Sequence, residues 1–254
     1  MQFAHELADR SRDISSRAAT QRPRVQMKSD ASPVTDTDRL VEQVLREMIA
    51  DRFPRHGVLG EEHGAVNEGA DLVWVIDPID GTLAFVAGVP VFGTLIGLAH
   101  ENKPLLGIID HPMTRDRWAG GPEIGATRNG EEVRTRSCPE LERAYLTCSN
   151  PDFMNAAELG AFHELRGRAE LNLYGASCYA YGLLASGRTD VGVDCGFDIF
   201  DMLAPAAVIQ GAGGMVTDWT GKPIDLDWQG QVVACGDEDL HRQVVPVLTS
   251  AAQS

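Results

Sequence analysis

Two aspartates lie three residues apart at the point where an apolar run stops. The run LVWVI leads into the segment DPIDGT, which contains Asp77 and Asp80. Because the proline and the glycine of this segment are expected to end a strand, both carboxylates and the Ile79 carbonyl should be presented at one strand end. Oxygen ligands of this kind suit a divalent cation. A capped turn is the alternative interpretation, since Asp and Gly are ordinary turn residues.

Two further acidic sites occur along the chain. The loop GEEHG places Glu61 and Glu62 between glycines, just before the strand that carries Asp77. Asp201 lies near the predicted start of a helix, where it could also serve only as a helix N-cap. Clustered carboxylates repel one another unless cations neutralise them, so a cluster of these residues predicts a metal ion, most simply Mg²⁺. The spacing alone leaves open whether they cluster.

The composition argues against several other kinds of site. Acidic residues outnumber basic residues by 37 to 22 and no Lys/Arg cluster stands out, which disfavours nucleic acid as a partner. The 5 cysteines are widely spaced and form no CxxC motif, so we expect reduced, packed thiols. The 7 histidines show no HExxH pattern. Any metal is therefore expected to be held by oxygen rather than by nitrogen or sulfur.

Neither a membrane span nor a signal peptide is indicated by the sequence. No window approaches the ~18 continuous apolar residues that a span needs. The opening MQFAHELADRSRDISSRA contains no apolar core of the kind that signal peptides have. We therefore expect no membrane partner and a cytoplasmic location.

The periodicity predicts an α/β fold whose two halves differ in texture. An apolar helical face follows the TDTD stretch and places Asp38 at the start of a helix; this face consists of Leu40, Val41, Val44, Leu45, Met48 and Ile49. A strand meander is then predicted over LVWVID (72–77), VFGTLIGLA (91–99), PLLGIID (104–110) and RDRWAG (115–120). Strands and helices alternate further on. We predict an α+β subdomain over residues 1–138 that carries most metal ligands, and an α/β subdomain over residues 139–254 that adds Asp201 and the substrate pocket.

Several motifs together resemble the inositol monophosphatase family of metal-dependent, lithium-sensitive phosphatases. They are the GEE loop, the run WVIDPIDGT, and the segment FD-x-x-x-P-x-x-V-x-x-GAGG-x-x-TDW-x-G; the likeness extends from Lys28 and SPVTDTD (32–38) to ACGDEDLH (234–241). This resemblance implies a layered αβαβα sandwich of the inositol monophosphatase and fructose-1,6-bisphosphatase type. It also implies a homodimer that hydrolyses a small phosphate monoester with two or three Mg²⁺ ions in each active site.

The same resemblance implies a role for each site residue. One metal would be held by Glu61, Asp77 and the Ile79 carbonyl, and a second by Asp77, Asp80 and Asp201. Asp77 would thus bridge two cations, one activating water and the other stabilising the leaving oxygen.

A catalytic dyad is implied as well. Glu61 would help to orient the attacking water, while Thr82, hydrogen-bonded to Asp38, would position or deprotonate it. The amides of Gly81 and Thr82 would bind phosphate oxygens. For Thr82 the alternative is a plain turn hydroxyl.

Within that family the chain is most similar to the histidinol-phosphatases, through stretches such as PVFGTLIGL, TCSNPDF and CYAYGLL. The subgroup commonly has an acidic residue where this chain has Ser177, which we assign to the substrate pocket. Asp194 and Asp198 match family positions near the substrate, and two carboxylates suit a cationic ligand such as L-histidinol phosphate. Solvent exposure as part of the acidic surface is the alternative for Asp198. Inositol 1-phosphate or a related sugar or nucleotide phosphate is the alternative substrate.

Other mechanisms fit the motifs less well. A haloacid-dehalogenase-type phosphatase needs its second aspartate at the position of Ile79, and an EF-hand needs alternating oxygen ligands that DPIDGT lacks. The GAGG run ends a helix instead of following a strand, which disfavours a dinucleotide site. An inactive regulatory or binding member of the fold would be expected to lack a metal ligand or Thr82, and all of these residues are present.

Overall fold

The computed structural model describes residues 1–28 and 33–251. Ser32, which begins the SPVTDTD segment, and residues 252–254 lie outside this part. The α-helices of the described chain are α1 (Gln2–Ala18), α2 (Asp36–Arg52), α3 (Thr82–Ala87), α4 (Ala156–Arg168), α5 (Tyr179–Ala185), α6 (Ile199–Gly211) and α7 (Glu238–Ala251). The strands are β1 (Val25–Met27), β2 (Pro33–Thr35), β3 (Gly57–Gly60), β4 (Gly64–Val66), β5 (Leu72–Asp80), β6 (Gly93–His100), β7 (Lys103–His111), β8 (Asp116–Gly121), β9 (Gly125–Arg128), β10 (Glu131–Glu132), β11 (Tyr145–Cys148), β12 (Leu171–Tyr174), β13 (Val191–Phe197), β14 (Met215–Thr217) and β15 (Gly230–Cys235).

The first half contains an 8-stranded sheet with the order β10-β9-β8-β7-β6-β5-β3-β4. Strands β5 to β10 follow one another as an antiparallel meander, which confirms the meander predicted from the sequence. β3 pairs with β5 in parallel, so the ends of these two strands lie at the same edge of the sheet. This pairing sets the Glu61 loop beside the aspartates of β5.

The second half contains a 5-stranded mixed sheet with the order β12-β11-β13-β15-β14. β11 runs parallel to β12 and β13, whereas β15 is antiparallel to both of its neighbours. α6 follows directly after β13. Asp198, which joins β13 to α6, therefore lies at the end of a central strand, and Asp201 follows in the first turn of α6, near the helix start predicted from the sequence.

Helices cover both sheets and separate them from each other. α1 and α2 pack on one face of the large sheet, through contacts such as those of Leu7 and Leu45 with Trp74 and Ile76. α5 and α6 fill the space between the two sheets. α4 and α7 cover the far face of the small sheet, with Phe162 and Leu240 among the buried side chains. The layer order is αβαβα, as predicted.

The middle helix layer, which comes from the second half of the chain, packs against the sheets of both halves. One continuous core joins Val73 and Leu95 of the large sheet, Leu203 of α6, and Val232 and Ala234 of the small sheet. The division at residue 138 stays a prediction, because α6 packs against both sheets.

Two local features differ from the sequence-based expectation. β5 does not end at Asp77: it continues through Pro78 and pairs again at Asp80, with a shift of register against β6 between these aspartates. A bulge of this kind accommodates a proline that cannot donate to the ladder, and it redirects the neighbouring side chains. Helices α1 and α3 were not predicted at all.

Two further predictions concern the cysteines and a membrane span. All 5 cysteines are free and buried, which confirms the prediction of reduced, packed thiols. None of the described helices has the length and the apolar character needed to cross a membrane.

The contact between β7 and α6 yields a stability prediction. A Cβ added at Gly107 would lie 2.7 Å from Ala204 Cα and closer still to its carbonyl oxygen, whereas a Cβ at Gly160 in α4 would meet nothing within 4 Å. We expect Gly107→Ala to lower the free energy of unfolding by about 1–3 kcal/mol, the usual cost of overpacking. Gly160→Ala should raise it by up to ~1 kcal/mol, because alanine favours a helix. Urea unfolding of both variants tests this contrast, and equal effects would contradict it.

Candidate metal centre

Three aspartates that are far apart in the sequence meet in the structure. Each of Asp77, Asp80 and Asp201 offers a carboxylate oxygen, and these oxygens all lie within 4.8 Å of one another. Asp77 and Asp80 stand on the two sides of the β5 bulge, and Asp201 comes from the first turn of α6. The clustering that the sequence left open is therefore present, which favours the metal-ligand interpretation over a simple capped turn.

Backbone amides hold these carboxylates in place. The donors are Ile79 N to Asp77 (3.0 Å), Cys178 N to Asp80 (2.8 Å) and Asp198 N to Asp201 (2.7 Å). Within residues 1–28 and 33–251, no lysine or arginine forms an ion pair with any of the three. The negative charges are therefore oriented but not neutralised by the protein.

The pKa of each aspartate reflects its burial and the charges of its neighbours. Burial raises the pKa of Asp77, and the charges of Glu61, Asp80 and Asp201 raise it further. Burial also raises the pKa of Asp201, with the charge of Asp80 as the next cause. The pKa of Asp80 is raised by burial, although its hydrogen bonds to Cys178 oppose the shift. A divalent cation with a preference for oxygen would remove the repulsion, so the donor set fits Mg²⁺.

Asp201 is not the N-cap of α6. The N-cap is Asp198, and the Asp201 carboxylate, three residues into the motif, accepts the amide of Asp198 as one half of a capping box. This arrangement leaves part of the Asp201 carboxylate free to face the other two aspartates.

Glu61 lies beside the cluster and is paired with a lysine. Lys28 Nζ contacts Glu61 Oε1 at 2.7 Å and Glu62 Oε1 at 2.6 Å. Burial opposes the charge on Lys28, but the hydrogen bonds to both glutamates outweigh it and raise the pKa of the lysine. Burial raises the pKa of Glu61, and the contact with Lys28 counteracts part of that shift. The sequence offered Lys28 only as the start of the family likeness and assigned it no role.

The predicted dyad is present as a long contact. Thr82 Oγ1 lies 3.5 Å from Asp38 Oδ1 and 3.2 Å from the carbonyl oxygen of Ile79. Asp38 is fully buried in the first turn of α2, where it also accepts the backbone and hydroxyl donors of Thr35. Burial raises the pKa of Asp38 despite the donors from Thr35, and a higher pKa makes this carboxylate a better proton acceptor.

Gly81 and Ser177 approach each other closely. Gly81 has a positive φ of 75°, and a Cβ added there would lie 2.7 Å from Ser177 Oγ. Ser177 also has a positive φ, of 47°. The turn that begins α3 therefore faces the Ser177 hydroxyl, as expected if both belong to one pocket.

The two predicted pocket aspartates differ in their surroundings. Asp194 is 2% exposed and accepts from Tyr181 OH at 2.7 Å, from Ser149 N at 2.7 Å and from Ser149 Oγ at 3.3 Å. Burial raises the pKa of Asp194 to about 6, against the effect of these donors. Asp198 is exposed at the start of α6. Protein donors thus occupy Asp194, whereas the Asp198 carboxylate is exposed and accepts one backbone amide, that of Asp201 in the capping box, so it is the carboxylate that can also meet a ligand.

One buried acid near the site was overlooked in the sequence. Glu42 is 0% exposed on α2 and accepts the amides of Glu62 and His63. An available signal was its position within the apolar helical face, between Val41 and Leu45, where an unpaired charge would be costly.

The chain was compared with known proteins. The sequence profile of the inositol monophosphatase family matches residues 1–253. A bifunctional phosphatase IMPL2, chloroplastic, from Arabidopsis thaliana is 42% identical over 253 residues, which cover 95% of this chain and 72% of that protein. A histidinol-phosphatase from Chlorobaculum parvum is 32% identical, covering 92% of this chain and 91% of the relative. Inositol monophosphatase 2 from Homo sapiens is 34% identical, covering 89% and 82%.

Solved structures agree with these sequence relatives. An inositol monophosphatase from Zymomonas mobilis superimposes with a TM-score of 0.89 at 36% identity and covers 98% of this chain and 96% of its own. Both the fold and the family are thus established from two independent directions.

The aspartate cluster predicts how stability depends on pH. In the folded protein, the pKa of Asp77 lies above its unfolded value, so the folded chain binds more protons and loses stability as the pH rises through that window. Asp77→Asn removes this loss. With a chelator present near neutral pH, we expect the variant to melt several degrees above wild type, since 1 kcal/mol corresponds to about 2–4 °C at this size.

The advantage of Asp77→Asn should shrink as the pH falls toward about 4, where the aspartate becomes protonated in both states. Thermal unfolding across this range measures the difference, with Asp51→Asn as a control at an exposed position. A variant that is less stable than wild type at neutral pH, or an advantage that is constant with pH, would contradict the proposed repulsion.

Proposed function

Because the chain belongs to the inositol monophosphatase family of metal-dependent phosphatases, we propose that it hydrolyses L-histidinol phosphate to L-histidinol with Mg²⁺, a step of histidine biosynthesis. The observation that carries this choice is the exposed carboxylate of Asp198, one helical turn from Asp201. A carboxylate beside the phosphate site suits a substrate with an ammonium group better than a neutral polyol. Relatives named histidinol-phosphatase support the same choice.

The metal ligands are proposed in two overlapping sets. Glu61, Asp77 and the Ile79 carbonyl would form one set, and Asp77, Asp80 and Asp201 the other. When bound, the cations would supply an activated water and would stabilise the leaving oxygen. The proximity of the Asp77, Asp80 and Asp201 oxygens supports the second set, and the effect of the Glu61 charge on Asp77 supports the first.

The Thr82 and Asp38 pair would handle the proton of the attacking water. Thr82 Oγ1 would accept that proton while passing its own to Asp38 Oδ1, a carboxylate whose pKa burial has raised. Glu61 would orient the same water. Substrate binding would shorten the 3.5 Å contact, since catalytic hydrogen bonds are often long before the substrate binds.

The phosphate would bind at the turn that begins α3. Gly81 and Thr82 supply the first amides of this helix, which have no acceptor within it and so remain available to an anion. Ser177 Oγ faces Gly81 and would add one more donor. Among the described contacts, those of Asp194 are all with protein donors, so we now propose that Asp194 supports the pocket and Asp198 contacts the substrate.

Other properties that the resemblance implies stay predictions. They are the homodimer, inhibition by Li⁺, and the presence of two or three Mg²⁺ ions. The cytoplasmic location, expected from the lack of an apolar span, likewise stays a prediction. Hydrolysis of inositol 1-phosphate is the second candidate activity, supported by the relative named inositol monophosphatase 2.

Substrate choice provides the first test. We expect kcat/KM for histidinol phosphate to exceed that for inositol 1-phosphate, and Asp198→Asn to reduce the former by roughly ten- to a hundredfold, the scale of a charged hydrogen bond. Activity on inositol 1-phosphate, which carries no cationic group, should hardly change. Asp51→Asn serves as the control, since it removes the same charge at an exposed position on α2, about 20 Å along the helix from Asp38. A wild-type preference for inositol 1-phosphate would refute the substrate assignment and leave the phosphatase chemistry intact.

The dyad is tested by a double-mutant cycle. Thr82→Ala should lower kcat by about 10²-fold or more through loss of general-base assistance, whereas Thr82→Ser keeps the hydroxyl and should stay within a few-fold of wild type. Asp38→Asn should cause a similar loss to Thr82→Ala. If the two residues act as one unit, the double variant will be little worse than either single variant. Additive losses in free energy would mean that the residues act independently.

A further inference from the structure

Glu42 is a buried carboxylate that the proposed chemistry does not use. It lies on α2, one turn after Asp38, and its side chain is 0% exposed. Burying a charge is costly unless it is paired and hydrogen-bonded. The partners that offset this cost show what the residue does.

Two of the donors to Glu42 belong to the loop that carries Glu61, and a third is Arg46 of α2. Glu42 Oε2 accepts the amide of Glu62 at 2.7 Å, and Oε1 accepts the amide of His63 at 3.1 Å. Arg46 Nε donates to the same Oε1 at 2.7 Å, and the Arg46 guanidinium also donates to the carbonyl of Gly64. One acid and one arginine of α2 thus bind consecutive backbone groups directly after Glu61.

The residue before Glu61 is fitted to the same carboxylate. A Cβ added at Gly60 would lie 2.8 Å from Glu42 Oε2 and closer still to Oε1. Gly60 has no positive φ, so the space, and not the backbone conformation, requires glycine there. On the other side, Glu61 N donates to the Ile76 carbonyl of β5 at 3.3 Å. Glu61 is therefore held between α2 and the strand that carries Asp77.

We propose that Glu42 is a positioning residue for the metal centre: it fixes the loop of residues 60–64 so that Glu61 faces Asp77. This inference rests on the proposed role of Glu61 as a metal ligand. Glu42 itself touches neither metal nor substrate. Loss of its two amide contacts would let the loop move and would weaken metal binding, while the dyad and the three aspartates would stay in place.

A purely structural role would have a different signature. If Glu42 only stabilised α2 through its ion pair with Arg46, its loss would lower the free energy of unfolding without changing the Mg²⁺ dependence. The distinguishing measurement is therefore the Mg²⁺ concentration that half-saturates the protein, measured both by activity and by the rise in Tm of the chelated protein on addition of Mg²⁺ alone.

The first variant is Glu42→Gln. Its side-chain NH₂ group would face one of the two backbone N–H donors of the loop, so that hydrogen bond would be lost. We expect the half-saturating Mg²⁺ concentration to rise by about 10- to 100-fold, the usual loss when a partner of a metal ligand is changed. At saturating Mg²⁺, kcat should recover to within a few-fold of wild type. Glu47→Gln is the matched control, since it makes the same change at an exposed position of α2 and should leave the Mg²⁺ dependence unchanged.

The second variant disturbs the same contact from the loop side. Gly60→Ala would push the Glu42 carboxylate away without removing its charge, so it should also raise the half-saturating Mg²⁺ concentration. Gly69→Ala is its control, because a Cβ there would meet nothing within 4 Å. If both Glu42→Gln and Gly60→Ala lower the Tm of the chelated protein but leave the Mg²⁺ dependence at the wild-type value, the positioning role is refuted.

A third variant separates this inference from the proposed function. Glu61→Gln should weaken Mg²⁺ binding at least as much as Glu42→Gln. If Glu61→Gln leaves Mg²⁺ binding unchanged, the ligand assignment is wrong and the inference falls with it. If Glu61→Gln weakens binding and the Glu42 and Gly60 variants do not, only the inference is wrong. Should Glu42→Gln fail to fold, Gly60→Ala decides by the same criterion.

Discussion

The mutual repulsion of buried carboxylates is the constraint on which the site depends. Asp77, Asp80 and Asp201 present oxygens within 4.8 Å of one another, and burial together with neighbouring charge raises the pKa of Asp77 well above its usual range. The cations of the described chain are placed elsewhere: Lys28 pairs with Glu61 and Glu62. The folded protein therefore maintains an unfavourable arrangement that a divalent cation would relieve, and the free energy of that relief would be available for binding.

A layered scaffold is what keeps such an arrangement in place. The bulge in β5 sets two aspartates on a rigid strand, and α6, packed between the two sheets, delivers the third from the other half of the chain. Backbone amides orient each carboxylate without neutralising it. Glu42 extends the same principle to the Glu61 loop, because a buried acid that binds amides can fix a loop without competing for the metal. Rigid support of this kind is what precise ligand geometry requires.

The proposed site has one part for the phosphate group and another for the rest of the substrate, and only the second part can distinguish one phosphate monoester from another. In the proposed mechanism, the acidic cluster and the turn of Gly81 and Thr82 act on the phosphate group, which all phosphate monoesters share. The choice between substrates must then come from contacts with the remainder of the ligand, and here the chain offers the exposed Asp198. Relatives of similar identity carry the names histidinol-phosphatase and inositol monophosphatase. Overall similarity therefore identifies the chemistry, and we propose that single pocket residues decide the substrate.

The αβαβα layering was implied by the family resemblance. The sequence by itself determined the strand meander, the helix that begins near Asp38, and the residue types that could hold a metal. Periodicity and short motifs specify these features because each depends on residues that are close together in the chain. Only the tertiary structure decided that the aspartates meet, that Asp194 is enclosed by Tyr181 and Ser149 while Asp198 is exposed, and that Glu42 holds the Glu61 loop. The physical reason is that the burial of a carboxylate, and the donors that reach it, are set by elements distant in sequence, and no local pattern records which of them will pack against it.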